Sequence, residues 1–187
     1  MRQPSIRSLT AIPFALVALL LAAPALEAQA DPRLDDLKER AREGVQERAK
    51  LVQEIIDHLY SFGELGMQEF ETQRYLTGLL EDEGFTIELG VAGMPSAWTA
   101  RWVNGTGGPV IALGSDVDGI PQSNQKPGVG YRDPIVSMAP GHGEGHNSGQ
   151  AVNIVAALAV KEIMEDEDIP GSLLIWPGVA EEQVASK

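Results

Sequence analysis

Residues 151–176, AVNIVAALAVKEIMEDEDIPGSLLIW, predict the central unit of the fold. Its first part, Ala151 to Met164, is apolar nearly all round, which is typical of a helix packed on a sheet. Its last part, Leu173 to Trp176, predicts a buried strand, and Val110 to Leu113 predicts another strand ahead of the helix. A strand, a crossover helix and a second strand predict an α/β sandwich with a sheet that is at least partly parallel.

Two helices and two further strands are predicted ahead of this unit. Residues 33–61 carry apolar side chains at three- and four-residue spacing among charged ones, which predicts one long amphipathic helix. A second helix is predicted from Met67 to its end at Gly84. The runs 86–89 and 97–103 predict strands, and Ser148 is a plausible N-cap for the helix that follows it.

The first thirty residues predict a signal peptide. Arg2 and Arg7 form a basic start, the apolar run 11–22 is too short to span a membrane comfortably, and Ala28-Gln29-Ala30 offers small residues where a signal peptidase reads. We expect a mature protein that begins near Asp31 and is exported, either to the periplasm or out of the cell. The alternative is an uncleaved membrane anchor.

Composition limits what the mature chain can be. With 187 residues, 43% of them hydrophobic, the chain has material for one globular core, which we expect over residues 31–187. It has no cysteine, so it can form no disulfide and no thiolate metal ligand. Loss of residues 1–30 would take the formal net charge from −13 to −14, which argues against nucleic acid or anionic membrane surfaces as partners.

A glycine-rich run, Gly-His-Gly-Glu-Gly-His-Asn at residues 141–147, carries the residue types of a metal site. Together with Ala180-Glu181-Glu182 it supplies two imidazoles and three carboxylates at the ends of predicted elements. These groups are ligands of zinc and related divalent ions. Glycine-rich loops without a function rarely concentrate such side chains, so the pattern predicts a metal-dependent hydrolytic site.

Two acidic pairs follow the two strands of the parallel unit. Asp116 and Asp118 come after the strand at 110–113, and Glu181 and Glu182 come after the strand at 173–176. Ligands of such sheets bind at the carboxyl ends of the strands, so both pairs are expected on one rim. Taken alone, an Asp-x-Asp is more often a turn and a Glu-Glu pair is more often surface charge.

Four motifs in this order resemble the zinc-dependent amidohydrolases and peptidases of clan MH, the aminoacylase and carboxypeptidase G type. They are Glu64-Leu-Gly-Met-Gln-Glu-Phe70, Asp116-Val-Asp-Gly-Ile-Pro121, the run 141–147 and Ala180-Glu-Glu182. Within the clan the chain is most similar to the branch of the aminobenzoyl-glutamate hydrolases and indole-acetyl-amino-acid amidohydrolases. The resemblance covers roughly residues 45–185.

The resemblance implies a fold and a chemistry. The fold would be a three-layer sandwich around a mixed, partly parallel sheet of the zinc-peptidase type, and in the family a smaller lid and dimerisation domain follows. The activity would be hydrolysis of the amide bond of an N-acyl or N-aroyl amino acid or small peptide. The cofactor would be a divalent metal, two ions of zinc, or of manganese or cobalt, in each full-length site, and the enzyme would be a homodimer.

The resemblance also implies roles for residues. Glu144 stands where the branch has a metal-binding cysteine, and a carboxylate can bridge two ions as a thiolate can. His146 matches the ligating histidine, Glu182 would be a metal ligand, and Glu181 would be the general base that activates water. Two adjacent residues can divide these roles if they lie in a loop after the strand rather than in a regular element.

Three further residues are expected around the ligands. Asp116 and Asp118 would fix the orientation of a ligating histidine, with Asp116 as a direct ligand the alternative. His142 lies four residues before His146, but the glycines between them argue against a helix that puts both on one face. We therefore expect His142 in the loop, supporting the ligands rather than binding metal.

Two hypotheses on function remain. The histidines of the chain are His58, His142 and His146, whereas members of the family have a further histidine ligand and a substrate-binding histidine beyond the Glu-Glu pair. The favoured hypothesis is that residues 31–187 are the N-terminal part of the catalytic domain of an exported metallo-amidohydrolase. The alternative is a truncated, non-catalytic α/β module that binds metal weakly or binds a partner chain.

Overall fold

The computed structural model describes residues 31–184. The chain divides into two compact units, Met1–Asp35 and Asp36–Lys187. The predicted signal peptide lies outside the described residues. In the first unit, Asp31 caps the helix that begins at Pro32, because its Oδ1 accepts the N–H of Arg33 and its carbonyl accepts the N–H of Asp35, each at 3.0 Å.

Along the described residues, three helices are followed by three strands, and a fourth helix then leads to a fourth strand and a last short helix. The elements are α1 (Pro32–Glu47), α2 (Ala49–Phe62), α3 (Phe70–Asp82), β1 (Thr86–Leu89), a 3₁₀ turn (Val91–Gly93), β2 (Trp98–Asn104), β3 (Val110–Asp116), α4 (His146–Asp166), β4 (Gly171–Gly178) and α5 (Glu181–Val184). All four predicted strands are present, within three residues of the predicted bounds.

The predicted single helix over 33–61 is wrong, because the chain breaks at Arg48 into α1 and α2. The N–H of Arg48 bonds to the carbonyl of Val45 at 3.2 Å. The carbonyl of Gly44, its partner in an unbroken helix, instead accepts Nη1 of Arg48 at 2.9 Å. The same guanidinium reaches Glu162 of α4 at 2.9 Å. At the break, the Arg48 side chain therefore contacts a neighbouring helix. The three- and four-residue spacing of the apolar side chains continues across the break, which is why the sequence predicts one helix.

The second predicted helix is shorter than expected at its start. It begins at Phe70 rather than Met67, because Met67 has a φ of 63°, which a right-handed helix excludes. The carboxylate of Glu64 accepts the N–H groups of Glu71 and Thr72 at 2.8 and 2.9 Å. These are donors of the first helical turn that have no partner within the helix, so Glu64 caps α3.

The sheet is mixed, as predicted. Its order is β1-β2-β4-β3; β1–β2 and β2–β4 are antiparallel, and β3–β4 is parallel. The register of the parallel pair runs from Val110↔Ser172 to Asp116↔Gly178. The carboxyl ends of β3 and β4 therefore lie side by side, with α4 as the crossover between them.

The core lies on one face of the sheet. Trp98, Ala100 and Trp102 are buried at alternate positions of β2 and share one cluster with buried residues of α2, α3 and α4. The side chains between them include Arg101 and Val103, which are exposed. The described residues therefore supply the sheet and the helical layer on one of its faces. Over residues 31–184, no helix is both long and apolar enough to cross a membrane.

Helix α4 begins earlier than predicted and packs closely on the sheet. It starts at His146, so Ser148 is not its N-cap; the Ser148 hydroxyl lies inside the first turn and donates to the Gly145 carbonyl at 2.8 Å. A Cβ at Gly149 would lie 1.8 Å from Oγ and 2.9 Å from Cβ of Ser115 in β3. Nε2 of the buried Gln150 donates to the carbonyls of Ser115 and Trp176, at 2.7 and 2.9 Å, and so joins α4 to both strands.

We predict that Gly149→Ala destabilises the chain although alanine favours a helix. The added methyl group would collide with Ser115, so the free energy of unfolding should fall by about 1–3 kcal/mol. Gly78→Ala is the matched control, since Gly78 lies in α3 with no atom within 4 Å of an added Cβ. It should gain up to about 1 kcal/mol from helix propensity. Urea unfolding curves measure both, and equal stability of the two variants would contradict the close packing.

Candidate metal centre

Four side chains converge at the carboxyl ends of β3 and β4. Glu144, His146, Glu181 and Glu182, here called the ligand set, each offer one ligand atom, and these atoms all lie within 4.8 Å of one another. Glu144 comes from the loop before α4, His146 is the first residue of α4, and the two glutamates begin α5. The chain segments that carry the predicted ligands are thus brought to one place.

The imidazole of His146 is held by its Nδ1. Nδ1 lies 3.1 Å from the backbone carbonyl of Asp118 and 3.4 Å from its Oδ1. A carbonyl oxygen only accepts hydrogen bonds, so Nδ1 carries a proton in this contact. Nε2 then points into the ligand set, where Oε2 of Glu144 lies at 2.7 Å and Oε2 of Glu181 at 3.9 Å.

The surroundings of His146 Nε2 favour a cation. In the neutral imidazole, Nε2 carries a lone pair, and a lone pair at 2.7 Å from a carboxylate oxygen is repelled unless a proton or a metal ion lies with it. In addition, Oε1 of Glu182 and Oδ1 of Asp118 are buried and form no hydrogen bond among the described residues. Imidazole nitrogen and carboxylate oxygen are the donors that zinc, manganese and cobalt accept. The residues present therefore fit a divalent ion.

Asp116 and Asp118 lie on different sides of the imidazole. Asp118 is buried, faces Nδ1 and accepts the N–H of Glu182 at 2.9 Å through Oδ2. Asp116 faces Nε2, with its Oδ2 at 3.8 Å, and occupies the space beside Gly178, where a Cβ would lie 1.9 Å from its Oδ1. Asp118 therefore holds the ligand set in place, whereas Asp116 lies on the side where an ion would bind.

His142 lies outside the ligand set. Its Nε2 donates to the carbonyl of Leu59 in α2 at 2.9 Å, and its Nδ1 is buried without a hydrogen-bond partner among residues 31–184. Burial lowers the pKa of His142 below its ordinary value, although the hydrogen bond to Leu59 opposes this. A neutral His142 thus anchors the glycine-rich loop to the end of α2.

The expectation that Glu181 and Glu182 lie in a loop is wrong, because both belong to the first turn of α5. The strand ends at Gly178, and Ala180, with a φ of 55°, turns the chain before the helix. Adjacent residues of a helix project about 100° apart, and the side chains still converge on His146. Glu181 is a quarter exposed, at 25%, whereas Oε1 of Glu182 is buried.

No role is predicted from the sequence for Glu69, although it lies in one of the quoted motifs. Its buried carboxylate accepts the N–H of Ala180 at 2.8 Å, directly before the two glutamates of the ligand set. The only signal in the sequence is an acidic residue directly ahead of α3, which is typical of a helix-capping residue. The structure assigns that capping to Glu64 instead.

Comparison with known proteins shows relatives that hydrolyse amide bonds. No protein-family model matches the chain. It is 31% identical to a subunit of the p-aminobenzoyl-glutamate hydrolase of Escherichia coli (strain K12) over 134 residues, 72% of this chain and 27% of that protein. It is 28% identical to N-acetyl-L-cysteine deacetylase of Bacillus subtilis (strain 168) over 125 residues, 67% of this chain and 28% of that protein.

Solved structures share the fold. An aminobenzoyl-glutamate utilization protein from Klebsiella pneumoniae matches 76% of this chain and 40% of its own, with a TM-score of 0.56 and 16% identity. A dinuclear metal binding peptidase of the M20 family from Bacillus subtilis matches 70% of this chain and 36% of its own, with a TM-score of 0.50 and 23% identity. The chain spans less than a third of the length of the two curated relatives.

We predict that His146→Ala lowers the affinity of the chain for zinc, because it removes the only nitrogen of the ligand set. His58→Ala is the matched control, since His58 stacks on Tyr75, with ring centroids 4.5 Å apart, and is not part of the ligand set. Isothermal titration of the metal-free chain with zinc measures both. Equal zinc affinity of His146→Ala and His58→Ala would remove His146 from the site.

We predict that Glu182→Gln stabilises the metal-free chain at neutral pH. Burial and a hydrogen bond with Glu144 raise the pKa of Glu182 above its ordinary value, so the folded state holds this proton more tightly than the unfolded state. The ionised carboxyl therefore destabilises the fold at neutral pH, and this penalty disappears as the pH falls through the raised pKa. In thermal unfolding with EDTA, the midpoint of the variant should be higher than that of the wild type at pH 7. This difference should vanish at a pH below the ordinary pKa range of carboxyl groups.

An unchanged or lower midpoint for Glu182→Gln at pH 7 would contradict this interpretation. Glu83→Gln, at an exposed position after α3, is the matched control and should leave the midpoint at pH 7 unchanged.

Proposed function

Because the chain belongs to the M20 family of metal-dependent amidohydrolases and peptidases in clan MH, we propose that it is the N-terminal part of the catalytic domain of an exported amidohydrolase. The substrate is the amide bond of an N-acyl or N-aroyl amino acid or of a small peptide. The observation that supports this most is the convergence of His146 Nε2 with three carboxylates where two parallel strands end. The names of the two curated relatives, a hydrolase of an aroyl amino acid and a deacetylase, agree with it.

The ligand set divides into metal ligands and a base. Glu144, His146 and Glu182 would hold the ion, since Oε2 of Glu144 lies beside Nε2 of His146 and Glu182 is fixed through its backbone by Asp118. The chemistry that a divalent ion would supply there is polarisation of the amide carbonyl and acidification of water. Zinc is proposed, or manganese or cobalt, with two ions in the whole enzyme, as the name of the Bacillus peptidase states for that protein.

Glu181 is suited to move the proton. Its Oε2 lies 3.9 Å from Nε2 of His146, and its side chain is 25% exposed to water. It can therefore accept a proton from the attacking water and donate it to the amide nitrogen as the C–N bond breaks. Asp118 fixes the chain directly after the base, because its Oδ2 accepts the N–H of Glu182, and its Oδ1 contacts Nδ1 of His146.

Export and assembly complete the proposal. The signal-peptide pattern of residues 1–30 supports export, with Asp31 as the first mature residue, which amino-terminal sequencing of the secreted protein tests. A homodimer is proposed for the whole enzyme from the family resemblance, and sedimentation tests it. The E. coli relative is itself named as a subunit.

We predict that Glu181→Gln abolishes hydrolysis and leaves the zinc content nearly unchanged. Glutamine keeps the size of the side chain but cannot accept the proton of water, and general-base catalysis contributes about 10²–10⁴-fold. The experiment uses the chain with any coding sequence that continues it in frame. It measures amine release from a panel of N-acetyl and N-benzoyl amino acids, with and without EDTA, and zinc by elemental analysis.

The matched control is Glu83→Gln, which changes a carboxylate outside the site and should keep the wild-type rate. Hydrolysis by Glu181→Gln at the wild-type rate would exclude Glu181 as the base. Absence of zinc and of hydrolysis from the wild-type protein would reject the proposed function and favour a non-catalytic module.

A further inference from the structure

We propose that Glu69 is a positioning residue of the site: its buried carboxylate holds Ala180 in a left-handed conformation and thereby directs Glu181 and Glu182 toward His146. The inference rests on the proposed function for its biological meaning. Glu69 itself is not part of the ligand set. It acts on the site through its contact with Ala180.

Glu69 is buried and fully engaged. It is 1% exposed, and each of its two oxygens accepts a hydrogen bond. Oε1 accepts the N–H of Ala180 at 2.8 Å, and Oε2 accepts the hydroxyl of Ser96 at 2.5 Å. A carboxylate is costly to bury, and the cost is tolerable only where such hydrogen bonds replace water. Its place in the interior therefore indicates a specific role.

Ala180 adopts a conformation that needs support. Its φ of 55° lies in the left-handed region, which is strained for a residue other than glycine and persists only where the surroundings impose it. The carbonyl of Ala180 accepts the N–H groups of Gln183 and Val184, at 3.3 and 3.0 Å, which are the first hydrogen bonds of α5. The residue that Glu69 holds is thus the one that sets the direction of the helix carrying Glu181 and Glu182.

The segment around Glu69 also contacts Ala180 through its backbone. A Cβ at Gly66 would lie 2.6 Å from Cα and 2.7 Å from Cβ of Ala180. Gly66 therefore allows the two chain segments to touch at a distance that no other residue permits. Gly66 and Glu69 therefore both contact Ala180. Glu69 and Ala180 are 111 positions apart in the sequence.

Two buried carboxylates hold the backbone on either side of the base. Glu69 accepts the N–H of Ala180, and Asp118 accepts the N–H of Glu182, at 2.8 and 2.9 Å. Glu181 lies between these two amides. Its carboxylate is therefore placed by a backbone that is fixed immediately before and immediately after it.

The test compares Glu69→Ala and Glu69→Gln with Glu64→Ala. Glu64 is the matched control, since it lies in the same segment and also accepts two N–H groups, but those of α3 rather than of Ala180. Two quantities are measured on the full chain: hydrogen exchange of the Ala180 amide by NMR without metal, and zinc affinity by titration. The first reports the contact, and the second reports its effect on the site.

Glu69→Ala should lose the protection of the Ala180 amide and lower zinc affinity about 10–100-fold, the usual effect of removing a group that orients metal ligands. Glu69→Gln keeps an acceptor for this amide and should stay near the wild type in both measurements. Glu64→Ala should reduce the stability of α3 but leave both measurements unchanged. Adding Ala180→Gly to Glu69→Ala should recover part of the affinity, because glycine adopts this φ without strain.

Wild-type protection of the Ala180 amide in Glu69→Ala would overturn the inference, and so would an equal loss of zinc affinity in Glu64→Ala. If Glu69→Ala does not fold, Gly66→Ala displaces Ala180 with Glu69 intact and must then reduce both quantities. If the wild-type chain itself binds no zinc, the proposed function fails, while the amide protection still decides whether Glu69 holds Ala180.

Discussion

The site depends on the parallel pairing of β3 with β4. The register that sets Asp116 opposite Gly178 brings the carboxyl ends of both strands to one edge. Because α4 is the crossover between these strands, it must begin at that same edge, and this places His146 there as its first residue. Gln150 fixes the arrangement, since its amide nitrogen bonds to one carbonyl of each strand. Each member of the ligand set therefore lies close in sequence either to the start of α4 or to the end of β4, and the strand pairing brings these two places together.

This geometry concentrates negative charge around one imidazole. Glu144 and Glu181 lie near Nε2 of His146, with Asp116 on the same side and the buried Asp118 behind Nδ1. Several carboxylates gathered where water is partly excluded are costly unless a cation balances them. The raised pKa of Glu182 is one sign of this cost. A chain with no cysteine has oxygen and nitrogen donors for such an ion, and the arrangement supplies both.

The sequence predicts those parts of the fold and site that depend on local pattern. The apolar run from Ala151 and the strand that follows it predict the parallel unit, and the positions of the acidic pairs predict their shared edge. The sequence does not predict the break at Arg48, because the break leaves the apolar spacing intact and arises where the Arg48 side chain replaces a backbone N–H as the donor to the Gly44 carbonyl. The sequence does not predict the start of α4 at His146, because Ser148 fits an N-cap, and the close approach of Gly149 to Ser115 is visible only in the structure.

The histidine of the ligand set belongs to the helix that carries much of the core. Helix α4 spans 21 residues, and His146 is its first residue. Core helices open only together with a large part of the fold. Gln150 also joins the start of this helix to both parallel strands, so the imidazole would keep its place while the surface of the domain fluctuates. This ligand would therefore be positioned before an ion arrives, and ordering it would add little to the entropic cost of binding.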